Sequence, residues 1–316
     1  MTAFEGLNQE NFDAYTEEKW SSMVHNLTRM KAKETLTKLI DATRDKYQLS
    51  YTGLVTGSSD EIPNITNGKS VKEQWFYWYR DKSQRDSLNK ILDRLELSSA
   101  TVFQTSPQDK HIVIGAKLSA SSLDVGIFIA ATASVDRRNL RARLEQESGK
   151  AQATDSCKAS GTELKLCFHE LSIAPSEITD AQWDDVAKHL ADESEETLFI
   201  GRQFPASEAI ELGSSLVDHV GNTLTTLQPM YDFFAWSRAN DSIDVAKEIA
   251  VQQKAQQKKA EKQKTVQYKV GDKVRVTVGL LAGKRGVIES LDGKGKAKVS
   301  VGLMSMHVAL NDLTAG

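Results

Sequence analysis

The sequence predicts an α+β protein: a mixed α/β body with antiparallel strands over 1–241, a basic helical linker over 242–265, and a small C-terminal β-barrel over 266–316. Three observations carry this. A proline-free stretch, 8–47, spaces its large apolar residues three to five apart, as helices do. Two apolar runs, 111–118 and 123–130, are joined by the short Ser119–Ser122 turn, which suits an antiparallel hairpin. From Tyr268 onward valines alternate with cations and glycines recur, the pattern of short strands between tight turns.

The totals agree with a globular chain. It has 316 residues, 40% apolar and 26% charged, enough for one large or two to three ordinary domains, and a subdivision of the body near 150 stays open. No run approaches the roughly 18 apolar residues of a membrane span. Met1-Thr2-Ala3-Phe4-Glu5 lacks the basic start and apolar core of a signal peptide, so no membrane partner is expected. Two cysteines cannot build a disulfide framework. A cytoplasmic location is expected, with a nuclear one left open. The net charge of −3 hides a split: residues 245–316 hold 14 cations against 6 acids, and residues 1–244 hold 26 against 37. A basic tail on an acidic body suggests that the tail meets nucleic acid, or else the acidic body itself.

Along the body, Asn8 is a candidate cap for the first helix, and 8–47 divides into one or two helices. Gly53 to Gly68 collects Gly, Ser, Asp, Pro and Asn and is expected to be a loop. Gln74-Trp75-Phe76-Tyr77-Trp78-Tyr79-Arg80 predicts a strand, with Trp75, Tyr77 and Tyr79 on one face and Phe76 and Trp78 on the other. Five adjacent aromatics favour a central strand buried on both faces; a stacking platform ending in Arg80 is the other reading. Ser83 is expected to cap a helix running to Leu95, followed by a strand at 100–104. Asp136 to Glu147 predicts a charged helix. Its Arg137, Arg138, Arg141 and Arg143 are either a phosphate clamp or a solvated face balanced by Glu145 and Glu147. Residues 148–161 are expected to be a loop, 164–168 a strand, 178–190 a helix with Trp183, Val186 and Leu190 inward, and 198–200 a strand. Pro205 starts a helix that Pro229 is expected to interrupt, and the aromatics from Tyr231 to Trp236 are expected to close the core.

The linker is Ala, Gln, Lys and Glu, strong helix formers without an apolar stripe. Lys254, Lys258 and Lys262 lie in it, so it is a spacer, a phosphate-tracking arm, or both. In the barrel, Val274, Val276 and Val278 alternate with Lys273, Arg275 and Thr277, and Gly279, Gly283 and Gly286 punctuate a turn around Lys284 and Arg285. Val287 and Ile288 begin a second strand. Asp292-Gly293-Lys294-Gly295-Lys296 marks a hairpin, and Ala297, Val299 and Val301 alternate with Lys298 and Ser300. Met304, Met306, Val308 and Leu310 supply the last alternation. Closure into a barrel with no open edge is expected.

This stretch, about 266–314, resembles a KOW domain. The resemblance rests on Val270-Gly271-Asp272-x-Val274-x-Val276, on Gly279 with Gly283-Lys284-x-Gly286-Val287, and on Leu310-x-Asp312-Leu313. KOW domains occur in NusG-type transcription factors, in ribosomal proteins and in some MutS-related proteins, and the turn Val301-Gly302-Leu303-Met304 looks most like the last group. The resemblance implies an SH3-like barrel that binds RNA, DNA, or a nucleoprotein machine such as the ribosome or RNA polymerase. It covers about a sixth of the chain.

No phosphate loop, dinucleotide fingerprint, nucleophile elbow or paired-histidine motif is present, and no cofactor or metal is expected. Cys157, Cys167 and His169 lack paired ligand spacing, and Cys167 is expected to be a small buried residue. Asp155, Glu163 and Lys165 superficially fit a metal-dependent nuclease core, and an exposed strand face explains them equally. The expected function is therefore nucleic-acid or nucleoprotein binding rather than catalysis. The expected site is a cationic face of Lys273, Arg275, Lys296 and Lys298, a loop contact from Lys284 and Arg285, and supplementary charge from Lys294 and the linker lysines. The alternatives are a nuclease or nucleic-acid-modifying enzyme targeted by the tail, and a protein–protein adaptor; catalytic residues are not identified.

Overall fold

The computed structural model describes residues 4–49, 51, 53–86, 88, 106–191, 196–243, 268–277, 282–292, 295–302 and 304–315. The chain is mixed α+β with two antiparallel sheets, and it divides into two compact units, Met1–Ala246 and Lys247–Gly316. The predicted linker from residue 244 on and the strand predicted at 100–104 lie outside the described residues.

In the first unit a capping box between Asn8 and Asn11 starts α1 (Gln9–Asp13). Two 3-10 turns, Glu17–Lys19 and Met23–His25, lead into α2 (Asn26–Tyr47). Fully buried Arg29 ties these pieces together. It donates to the carbonyls of Glu61 (2.7 Å), Lys19 (2.9 Å) and Ser22 (2.7 Å), and to Asn26 Oδ1 (2.5 Å). A planar fork of five donors is what lets one side chain bridge three segments.

Residues 53–68 are not all loop, because β1 (Leu54–Ser58) pairs antiparallel with β2 (Gln74–Arg80). β1 is an edge strand, largely exposed, so no hydrophobic alternation marks it. β2 is buried on both faces. Phe76 and Trp78 join the main core, while Tyr77 and Tyr79 pack with Val113 and Phe128 on the other side. That is a central strand, not a stacking platform. Residues 82–86 are helical, and their cap is Asp81 rather than Ser83: its carboxylate accepts from the Gln84 N–H at 2.9 Å and from Ser83 Oγ at 3.0 Å.

After the short α3 (Pro107–Lys110), the predicted hairpin forms from β3 (Val113–Leu118) and β4 (Ser122–Ile129). The charged helix α4 (Ser134–Leu144) follows, then α5 (Glu147–Cys157) in place of the predicted loop. α5 buries only Gly149, the Lys150 stem, Ala153 and Cys157, too small a stripe to stand out in sequence. Gly149 is there because a Cβ would collide with the Arg143 carbonyl of α4. The chain continues through β5 (Lys165–Phe168), β6 (Leu171–Ile173), α6 (Asp180–Leu190), β7 (Leu198–Pro205), α7 (Ala206–Leu212) and α8 (Leu216–Phe234). Pro229 lies inside α8 and does not end it. An interior proline costs about 3 kcal/mol, and the buried stripe from Leu216 to Phe234 outweighs that.

The seven strands run in the order β1-β2-β3-β4-β7-β5-β6, so β7 inserts between β4 and β5 and one sheet spans both sides of residue 150. Gly115, Gly126 and Gly201 sit in direct register on β3, β4 and β7. A Cβ at Gly126 would strike the Ile200 carbonyl and come within 2.5 Å of the Phe199 ring. The ring covers Gly126 and Gly201 where a side chain would otherwise stand, and Phe76 and Tyr77 of β2 crowd Gly115.

One buried ion pair joins distant segments. Arg80, at the end of β2, makes a two-pronged bond to Asp136 of α4 and donates to the Trp236 carbonyl at 2.8 Å. Asp136 also accepts from the N–H groups of Ile112 (3.0 Å) and Trp236 (2.9 Å). Burial pushes the Asp136 carboxyl up, but Arg80 and these two donors outweigh it and hold it below the usual carboxylate range.

In the second unit β8 (Lys273–Val276), β9 (Arg285–Leu291), β10 (Lys296–Val301), β11 (Met304–Ala309) and β12 (Leu313–Ala315) form one sheet in the order β11-β10-β9-β8-β12. It curls into a half-barrel, with β11 and β12 at its edges, rather than the edge-free cylinder expected. Val274, Val276, Ile288, Ala297, Val299, Val308 and Leu313 fill the concave side. Tyr268 packs against them and donates to the Leu313 carbonyl at 2.8 Å.

Candidate nucleic-acid interface

Strand alternation sends the valines of β8 inward and Lys273 and Arg275 outward. β9 begins two residues earlier than its valine pattern implies, so Arg285 is a strand residue and not part of a loop. It stands directly opposite Arg275, and Thr314 of β12 faces Arg275 from the other side. Lys273 lies opposite exposed Val287, and Val287 opposite Ser300. Lys284 is exposed in the turn before β9, where its carbonyl accepts from the Val276 N–H at 3.0 Å. Two arginines in direct cross-strand register repel, at a cost of a few tenths to about 1 kcal/mol. Among the described residues no carboxylate lies within ion-pair distance of Lys273, Arg275, Lys284, Arg285 or Lys296.

The other expected cations are distributed differently. Lys298 is tied to Glu289 at 3.0 Å, with Ser305 Oγ donating to the same carboxylate at 3.0 Å, and together they hold Glu289 below the ordinary range. Lys296 is exposed at the far end of β10, opposite Ala309. Counting along the strand from the Arg275–Arg285 row, that is roughly 15–20 Å away. Lys254, Lys258, Lys262 and Lys294 lie outside the described residues. The sequence signal that would have found the central pair is the register itself, which valine spacing alone cannot set.

The first unit offers less. Arg137 is buried, donating to the carbonyls of Glu196 (3.1 Å) and His189 (3.2 Å), and Arg143 lies on the Phe233 ring. Arg141 is paired with Glu145, so of the four helix arginines only Arg138 and Arg141 are on the surface. Asp155 pairs with Lys158, and Glu163 with Arg202, so both carboxylates of the nuclease-like trio are engaged elsewhere, and Lys165 is exposed on β5. Among the described residues no three His, Cys, Asp or Glu side chains gather as a metal site. Cys157, not Cys167, is the buried cysteine, and burial pushes its thiol up to about 11. His169 and His189, twenty residues apart in sequence, stack with ring centres 4.1 Å apart. Two clefts of about 240 and 190 Å³ are below the usual roughly 300–1,000 Å³ of ligand pockets. No helix is long and apolar enough to cross a membrane among the described residues. No protein-family model matches the chain, and no curated protein matches it.

Proposed function

We propose that the C-terminal unit is a KOW-type module that binds RNA or DNA through phosphate contacts, free or within a nucleoprotein machine such as the ribosome or RNA polymerase. The observation that carries the proposal is the Arg275–Arg285 pair, in register, exposed and, among the described residues, without a carboxylate. A polyanion laid across β8 and β9 relieves that repulsion, and Lys273 and Lys284 extend the same patch. The apolar surface of Val287 lies between Lys273 and Arg285, the hydroxyls of Ser300 and Thr314 flank the patch, and these add close packing and hydrogen bonds. The net +8 of residues 245–316 draws the ligand in at longer range.

The test is salt-dependent binding to duplex and single-stranded RNA and DNA. Neutralising three to four phosphates on a duplex gives a log–log slope of about −2.7 to −3.6. Changing Arg275 and Arg285 together to alanine lowers the magnitude of the slope by about 1.8, two contacts' worth. A slope near zero with every nucleic acid overturns the proposal and points to a protein partner for this unit.

A further inference from the structure

The structure exposes six large apolar side chains around one buried hub. Met23, Val24, Leu27 and Met30 lie on the 3-10 turn before α2 and on its first two turns, and Ile62 and Ile65 stand in the neighbouring loop. Each is between 39% and 86% exposed. Arg29 ties the two segments together, because its guanidinium binds the carbonyls of Ser22, next to Met23, and of Glu61, next to Ile62. Lys33 reinforces the seam, reaching the Ser59 carbonyl at 2.9 Å and the Glu61 carboxylate at 2.7 Å. A fully buried arginine thus holds apolar side chains out in water, where each costs free energy. From their exposures the six present about 650 Å², at or above the largest patch of an ordinary monomer.

We propose that this patch is a self-association surface and that its occupant is a second copy of the chain. Two copies cover roughly 1,300 Å² in total, within the range of specific interfaces. The stripe Met23, Leu27, Met30 has spacings of four and three and is self-complementary under a two-fold axis near Leu27, which brings Met23 of one copy against Met30 of its mate.

Sedimentation of the full chain tests this. At about 50 µM, above the weak-end micromolar Kd of such an interface, the native chain is expected to sediment as a dimer and Leu27→Asp as a monomer with an unchanged circular-dichroism spectrum. With Cys167→Ser in place, Leu27→Cys is expected to give a covalent dimer on mild oxidation, a readout that does not require destabilising the fold. A monomeric native chain overturns the proposal. So does a dimer that persists in Leu27→Asp and leaves Leu27→Cys uncrosslinked, because its interface lies elsewhere.

Discussion

His111 makes the folded body sensitive to mild acid. Its side chain is 4% exposed, beside the Tyr79 ring and the Arg80–Asp136 pair. Burial, and then the positive charge of Arg80, push its imidazole down to about 4, with Arg85 and Lys110 adding and Asp136 opposing. In the unfolded chain it titrates near 6.5. Below pH 6.5 the unfolded chain therefore takes up a proton that the folded chain refuses until near pH 4. Stability present above pH 6.5 is lost as pH falls through that window. One pH unit of such linkage is worth about 1.4 kcal/mol, so at pH 5 the loss from this residue is about 2 kcal/mol. Urea unfolding at pH 7.5 and 5.0, for the native chain and for His111→Gln, isolates the contribution. The native chain is expected to lose about 2 kcal/mol more than the variant over that interval. Equal losses, or a His111 ring that titrates above 6 by NMR in the folded chain, would refute the reasoning.

Three further outcomes follow from the geometry. Asp136→Asn leaves Arg80 buried without its counter-charge and is expected to cost about 3–5 kcal/mol in urea unfolding at neutral pH. The part that depends on Asp136 being ionised fades in strong acid, as pH falls through its lowered folded pKa. Arg29→Met strips the donors from three carbonyls and is expected to cost about 3 kcal/mol, read as a fall in Tm of roughly 6–12 °C; Arg29→Lys recovers only part, since a point charge cannot fork. Lys298→Ala is expected to change duplex affinity little, because Lys298 already serves Glu289, whereas Arg275→Glu lowers affinity at least tenfold at low salt; filter binding or fluorescence anisotropy separates the two.

Much of the fold is legible where side chains advertise their burial. The aromatics of β2, the hairpin of β3 and β4, and the alternating valines of β8 and β10 all fill cores, and their spacing says so. The elements that escape are those held by backbone or by small residues. β1 contributes pairing and almost no buried side chain, α5 buries two small residues, a glycine and a lysine stem, and β6 is three residues long. Pro229 misleads because local propensity is only a few kcal/mol, and α8 is anchored by more. The candidate interface is legible in composition and not in arrangement. Nothing in the sequence places Arg285 opposite Arg275, gives Lys298 to Glu289, or sends Lys296 to the far end of the sheet. Arg29 and the Arg80–Asp136 pair are similarly hidden, since a buried charge and a solvated one look alike in a string of letters.

The glycine row of the large sheet has a consequence for how the body folds. Hydrophobic alternation discriminates against a strand shifted by one residue, which turns its apolar side outward, but it cannot see a shift of two, which keeps every face as it was. The row can. Slipping β7 by two residues along β4 would take Gly201 away from Gly126 and set a residue with a Cβ into a space that the Val125 carbonyl and the Gly126 Cα of β4 leave too small. β7 also follows β4 only after more than sixty residues of intervening chain, yet lies between β4 and β5. Two absent side chains, at Gly126 and Gly201, thus act as a key cut for a single depth, proofreading the one pairing that apolar pattern alone would leave ambiguous.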